Sequence, residues 1–108
     1  MSERVCFVMQ VRADRVQDYL RAHEHVWPDM MEALRRAGWA NYSLFVRRAD
    51  GLVVGYLETD DFEAALARMD EQDVNTRWQQ TMQEYFEQPE GVRPDQGMLR
   101  LTEYFHLD

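Results

Sequence analysis

Apolar residues first recur every second position. Val5, Phe7, Met9 and Val11 alternate with Cys6, Val8 and Gln10, which predicts a strand whose two faces are both largely apolar. The period then lengthens. Val16, Leu20, His23, Trp27, Met30 or Met31 and Leu34 keep one face of a helix that is expected to run to about Ala37 and stop at Gly38, with Asp14 as its N-cap. Pro28 lies inside this pattern. It lacks an amide donor and clashes one turn back, so a kink or break is expected near 24–27.

Period two returns over 39–47, with Asn41, Ser43 and Phe45 on one face and Tyr42, Leu44 and Val46 on the other. Asp50-Gly51 signals a hairpin into a third strand at 52–58. Thr59 or Asp60 is read as the cap of a short helix with Phe62, Ala65, Leu66 and Met69 inward. Asp73 opens another helix over 74–85, with Val74, Trp78, Met82 and Tyr85 or Phe86 at helical spacing. Residues 88–97 hold two prolines and two glycines and read as an exposed loop. Alternation from Leu99 to Leu107 predicts the last strand.

The order is βαββαβ, an α+β ferredoxin-like arrangement in one domain spanning 1–108, with helices on one face of an antiparallel sheet. The first and third strands are apolar on both faces, so the uncovered sheet face calls for a cover. Pairing two sheets in a homodimer is the simplest one.

Composition narrows the partners. The 108 residues carry 20 acidic and 12 basic side chains, net −8, which argues against nucleic acid and anionic membranes. No apolar run is long enough to span a bilayer, and the start reads as a strand and not a signal peptide, so the cytoplasm is the expected location. Cys6 is the single cysteine and reads as a buried structural thiol.

No metal pattern emerges. His23 and His25 are two apart, roughly 200° around a helix, and cannot share a ligand face. There is no CxxC, HExxH, EF-hand or glycine-rich phosphate loop. Ser43 is the sole interior serine candidate and lacks a nucleophile elbow. What remains is acid–base chemistry without a cofactor. Tyr19 and His23, spaced i and i+4, bring a phenol and an imidazole onto one oily helix face. Taken singly, His23 also fits a satisfied interior histidine, and Tyr19, Tyr42 and Trp78 fit core aromatics. Together they describe a cavity with apolar walls and hydroxyl-competent groups, which is how small sugars are held.

These residues also carry a resemblance. CFVMQV at the start, Tyr19-x-x-x-His23, the run from His23 through Val26-Trp27-Pro28 to Met30, Asn41-Tyr42, Arg77-Trp78 and the closing residues from Glu103 to Leu107 resemble the L-rhamnose mutarotase family over essentially the whole chain. The resemblance implies a cofactor-free homodimer of ferredoxin-like chains, a dimeric α+β barrel, that interconverts the α and β anomers of L-rhamnose. It implies that His23 is the proton donor and that Tyr19, Tyr42, Trp78 and the position of Gln79 bind the sugar. Many members carry tryptophan where this chain has Gln79, so Gln79→Trp is expected to change sugar preference more than stability. The second proton-transfer group is left open among Tyr19, Tyr42 and a water. Two rival readings use the same pocket: a cofactor-independent monooxygenase on the same dimeric frame, and a non-catalytic sugar-binding protein.

Overall fold

The computed structural model describes residues 2–88 and 92–108. Four strands, β1 (Glu3–Gln10), β2 (Ala40–Arg47), β3 (Leu52–Thr59) and β4 (Leu99–Leu101), form one antiparallel sheet in the order β2-β3-β1-β4. Helices α1 (Val16–Ala22) and α2 (Pro28–Ala37) connect β1 to β2, and α3 (Phe62–Asp70) and α4 (Asp73–Met82) connect β3 to β4. The expected βαββαβ order holds, with each helical region broken in two.

The core lies between the sheet and the helices. In the β1–β3 register Val5 faces Leu57, Phe7 faces Gly55 and Met9 faces Val53, all buried against Tyr19, Ala33, Ala65, Trp78 and Met82. A side chain at Gly55 would occupy the space of the Phe7 ring, so glycine is what lets that ring approach β3. Gly38, at φ +97°, supplies the left-handed residue that ends α2 where expected.

The opposite sheet face exposes apolar side chains. Phe45 is 61% and Leu99 68% exposed beside Leu101. Asn41, Ser43 and Phe45 share that side of β2, while Tyr42, Leu44 and Val46 face the core.

Three local expectations need correction. Asp14 does not cap α1; it lies in a 3₁₀ turn, Ala13–Arg15, and no side chain caps the helix that follows. The cap of α3 is Asp61, whose Oδ1 accepts from Ala64 N at 3.1 Å, one residue beyond the two candidates. The last strand covers Leu99–Leu101 and not the whole alternating stretch. Beyond it the side chain of Arg4, on β1, takes hold of the chain instead of β1's backbone: Nε and Nη2 donate to the two Glu103 oxygens at 3.0 and 3.1 Å. Tyr104, Phe105 and Leu107 remain exposed, so their alternation has no ladder behind it.

Candidate active site

Pro28 shapes the backbone on which the site is built. Proline pushes the residue before it out of the helical region, and Trp27 adopts φ −56°, ψ 133°. The helix face that began at Val16 therefore stops at Ala22. A single 3₁₀ turn, His23–His25, follows, and Pro28 restarts the helix at its first position, where a missing N–H costs nothing. The break falls at the expected place and leaves His23 at the C-terminal end of α1.

The i, i+4 spacing brings the Tyr19 and His23 rings to 4.4 Å between centroids. His23 Nδ1 lies 3.1 Å from the Tyr19 carbonyl oxygen, in the last turn of α1. A carbonyl only accepts, so Nδ1 carries the hydrogen and Nε2 is the nitrogen left for the cavity. Burial lowers the His23 pKa, and the bond to the Tyr19 carbonyl works in the opposite direction.

Tyr42 reaches the site through an irregularity in β2. The β2–β3 register shifts between Ala40 and Ser43, and Asn41 takes a positive φ of 48°. Asparagine tolerates that conformation, and its Nδ2 donates to Glu58 Oε1 at 3.0 Å. Such a bulge re-aims the neighbouring side chain. The Tyr42 ring packs edge-on against Trp39 at 4.9 Å. Trp39 Nε1 is a buried donor with no acceptor among the described residues. Burial raises the pKa of both phenols, and Tyr19 adds to the rise at Tyr42. Both therefore remain neutral hydroxyls throughout the ordinary pH range.

From α4, Trp78 stands edge-on to His23 at 5.4 Å and to Trp27 at 5.0 Å. Gln79 is buried and its amide is fixed from both ends. Asp95 N donates to Oε1 at 3.1 Å, and Nε2 donates to Asn75 Oδ1 at 3.0 Å. Asn75 Nδ2 donates to the Met69 carbonyl and to Asp95 Oδ2, both at 3.2 Å. Arg93 grips the Asp95 carboxylate with Nε and Nη2, at 3.1 and 2.9 Å.

Tyr19, His23, Tyr42, Trp78 and Gln79, from four separate elements, all line one cavity of about 590 Å³ between sheet and helices. That is an ordinary volume for a small-molecule site. Six of the chain's seven methionines also line it, which makes its apolar walls soft and adaptable. Among the described residues no three His, Cys, Asp or Glu side chains group as metal ligands.

Among the lining residues that escaped the sequence reading are Trp39, Asn75, Asp95 and Pro94. The i, i+4 spacing of Asn75 and Gln79 was a usable signal. Asp95 and Pro94 had none, because residues 88–97 read as an exposed loop. Pro89, Glu90 and Gly91 lie outside the described residues. The rest of that stretch is not an exposed loop: Pro94 is buried, and the 3₁₀ turn Pro94–Gln96 is tied down by Gln79 and Asn75.

Comparison with known proteins gives this geometry a family. The sequence profile of L-rhamnose mutarotase matches residues 4–107. The L-rhamnose mutarotase of Oceanobacillus iheyensis is 31% identical over 106 residues, covering 98% of this chain and 99% of the relative. That of Lactiplantibacillus plantarum is 34% identical over 101 residues, 94% of each. Among solved structures, the L-rhamnose mutarotase of Formosa agariphila superposes with a TM-score of 0.81 at 19% identity, over 98% of this chain and 99% of that one. A dimeric ferredoxin-like protein from an uncultured marine organism gives 0.55 at 12% identity, over 96% and 91%. A Nitrosomonas europaea chain named provisionally as an antibiotic biosynthesis monooxygenase gives 0.62 at 14% identity, over 96% and 91%. Fold alone is thus shared with other chemistries, whereas the sequence match runs to one family along the whole chain: this protein belongs to the L-rhamnose mutarotase family.

Proposed function

We propose that the protein interconverts the α and β anomers of L-rhamnose by cofactor-free acid–base ring opening, with His23 as the proton donor. The observation that carries this reading is the placement of His23. One ring nitrogen is committed to the Tyr19 carbonyl, and the imidazole stands in a sugar-sized cavity between Tyr19 and Trp78.

Anomer exchange needs a proton delivered to the ring oxygen and another removed from the anomeric hydroxyl. His23 Nε2 delivers the first. The C1–O5 bond breaks, C1 becomes the aldehyde carbon, and the proton of the anomeric hydroxyl leaves to water. Rotation about C1–C2 presents the other carbonyl face. His23 then takes the proton back from the O5 hydroxyl as the ring closes, and the reformed anomeric oxygen is protonated from water. Tyr19 and Tyr42, held neutral by burial, bind sugar hydroxyls and are poor resting bases. Trp78 packs on the apolar side of the ring, and Gln79 forms part of the polar wall.

We also assign the chain to a cytoplasmic homodimer in which the exposed sheet faces meet. Phe45, Leu99 and Leu101 supply the apolar surface that supports this assembly. Saturation transfer between the anomeric protons of L-rhamnose tests the activity. His23→Ala should lose about 10²–10⁴-fold in exchange rate while keeping most of its sugar affinity. Wild-type exchange in His23→Ala would overturn the assignment of the donor.

A further inference from the structure

The two ends of the cavity differ in chemistry. Tyr19 packs its ring on Phe86, just past the C-terminus of α4, at 5.4 Å. Asn75 lies at the other end of that helix, where its amide reaches back to the Met69 carbonyl. Seven residues separate Asn75 from Met82, about 10 Å of helix rise. Trp78 lies between, with its ring against His23. Tyr19 and His23 thus occupy one end, and Asn75, Gln79 and Asp95 form a polar wall toward the other.

The hydrogen-bond count on that wall is incomplete. Gln79 Nε2 carries two hydrogens, and only the one on Asn75 Oδ1 has an acceptor among the described residues. Among the described residues Asp95 Oδ1 accepts from Arg93 Nε alone, although each carboxylate oxygen accepts two bonds. Arg93, Asn75 and Gln79 together hold the carboxylate and the amide in fixed positions. A fixed donor beside a fixed acceptor suits a pair of vicinal hydroxyls, each of which both donates and accepts.

We propose that Asp95, with the spare hydrogen of Gln79, forms a hydroxyl-reading subsite for the edge of the sugar ring opposite the reacting C1–O5 bond. This deepens the mutarotase reading and rests on it. In a pyranose the atoms across the ring from O5 and C1 are C3 and C4. With O5 at His23, the 3- and 4-hydroxyls project toward the polar wall. The substrate class is therefore aldopyranoses with free vicinal hydroxyls at C3 and C4, and Asp95 is a specificity-determining residue.

The test couples residue to hydroxyl. Dissociation constants and exchange rates are measured by saturation-transfer and line-shape NMR for L-rhamnose and its 3-deoxy and 4-deoxy derivatives. The proteins are wild type, Asp95→Asn and Arg93→Gln. In wild type, removing the hydroxyl that Asp95 reads should weaken binding about 10–100-fold, the span for one hydrogen bond to a charged group. Asp95→Asn should show that loss on L-rhamnose itself and lose little more on the deoxy sugar. Arg93→Gln, which disturbs the loop but leaves the carboxylate, should keep the wild-type penalty for the missing hydroxyl. Additive losses in Asp95→Asn for both deoxy sugars, with wild-type exchange intact, overturn the subsite and leave the mutarotase reading standing. A wild-type protein that neither binds L-rhamnose nor accelerates its exchange overturns both.

Discussion

Replacing Gln79 by Leu removes an amide that two partners use in a fixed direction. Asp95 N can only donate, so Oε1 must face it, and Nε2 must then face Asn75 Oδ1. Asn75 is 1% exposed, so its orphaned oxygen recovers no water. Leaving one buried acceptor unpaired costs about 1–3 kcal/mol. Asp95 N lies in a half-buried turn and regains part of its bond from solvent, so the two losses total about 2–3 kcal/mol. For a domain of this size that lowers Tm by roughly 10–20 °C. Urea unfolding of wild type and Gln79→Leu, compared by midpoint at unchanged slope, reads the loss directly.

Gln79→Glu sharpens the test. Its ionised carboxylate sets an oxygen against Asn75 Oδ1, acceptor against acceptor, whereas its protonated form donates to that oxygen. The folded state therefore raises the pKa of the new Glu. The stability deficit of Gln79→Glu should be largest near neutral pH and shrink as the pH falls through that raised value. Gln79→Trp loses the same two bonds as Leu, so it carries a stability cost beside any change in sugar preference. A Gln79→Leu protein within about 0.5 kcal/mol of wild type, the ordinary scatter of surface substitutions, would refute the reasoning.

The remaining predictions concern protonation, packing and assembly. Burial lowers the pKa of His23, so the pH profile of anomer exchange should show a His23-dependent inflection below 6.5, with activity falling on its alkaline side if His23 donates; activity rising there would make His23 a base. Because the folded pKa is depressed, the matching stability is present above 6.5 and lost as pH falls through the folded value, so the Tm of wild type should fall faster in acid than that of His23→Gln. Trp39→Phe gives up a buried N–H that bonds to nothing among the described residues, and unfolding should place it within about 1 kcal/mol of wild type, the lost ring area being offset by the relieved donor. Phe45→Glu should convert a sedimenting dimer to monomer while the circular dichroism of the fold stays unchanged; a monomeric wild type at micromolar concentration would refute the assembly.

What was legible in the sequence follows from how far each signal reaches. The period of Val5–Val11 and the Trp27-Pro28 step act through neighbours in the chain, so β1 and the helix break appear where the pattern puts them. Tyr19 and His23 meet because one helical turn is enough to join them. Asp95 is held at the cavity by the Gln79 carbonyl oxygen, sixteen residues earlier, and by the Asn75 amide, twenty earlier, and no local pattern records that. The bulge at Asn41 depends on Glu58 of the next strand. The tail from Thr102 onward alternates as a strand does, yet alternation reports a two-sided environment and not a partner. Its apolar side chains, Tyr104, Phe105 and Leu107, lie exposed.

Under the proposed function the same fold features bear on how protons would move. Without Pro28 the α1 face would continue past His23 as regular helix; with it, the ring is left at a helix end, one turn above a carbonyl that commits Nδ1. Burial makes the imidazolium a stronger acid than a free histidine, which favours donation to a weakly basic ether oxygen. Burial acts on Tyr19 and Tyr42 in the opposite chemical sense, raising their pKa values so that they keep their hydrogens. In that proposal one cavity turns a single physical cause, loss of water, toward two roles: a histidine whose proton is held less tightly, and phenols that hold theirs and would serve as hydrogen-bonding contacts. On the proposed mechanism the proton of the anomeric hydroxyl would go to water, and the acceptor side of the reaction should follow solvent access to the cavity mouth more than any titrating residue.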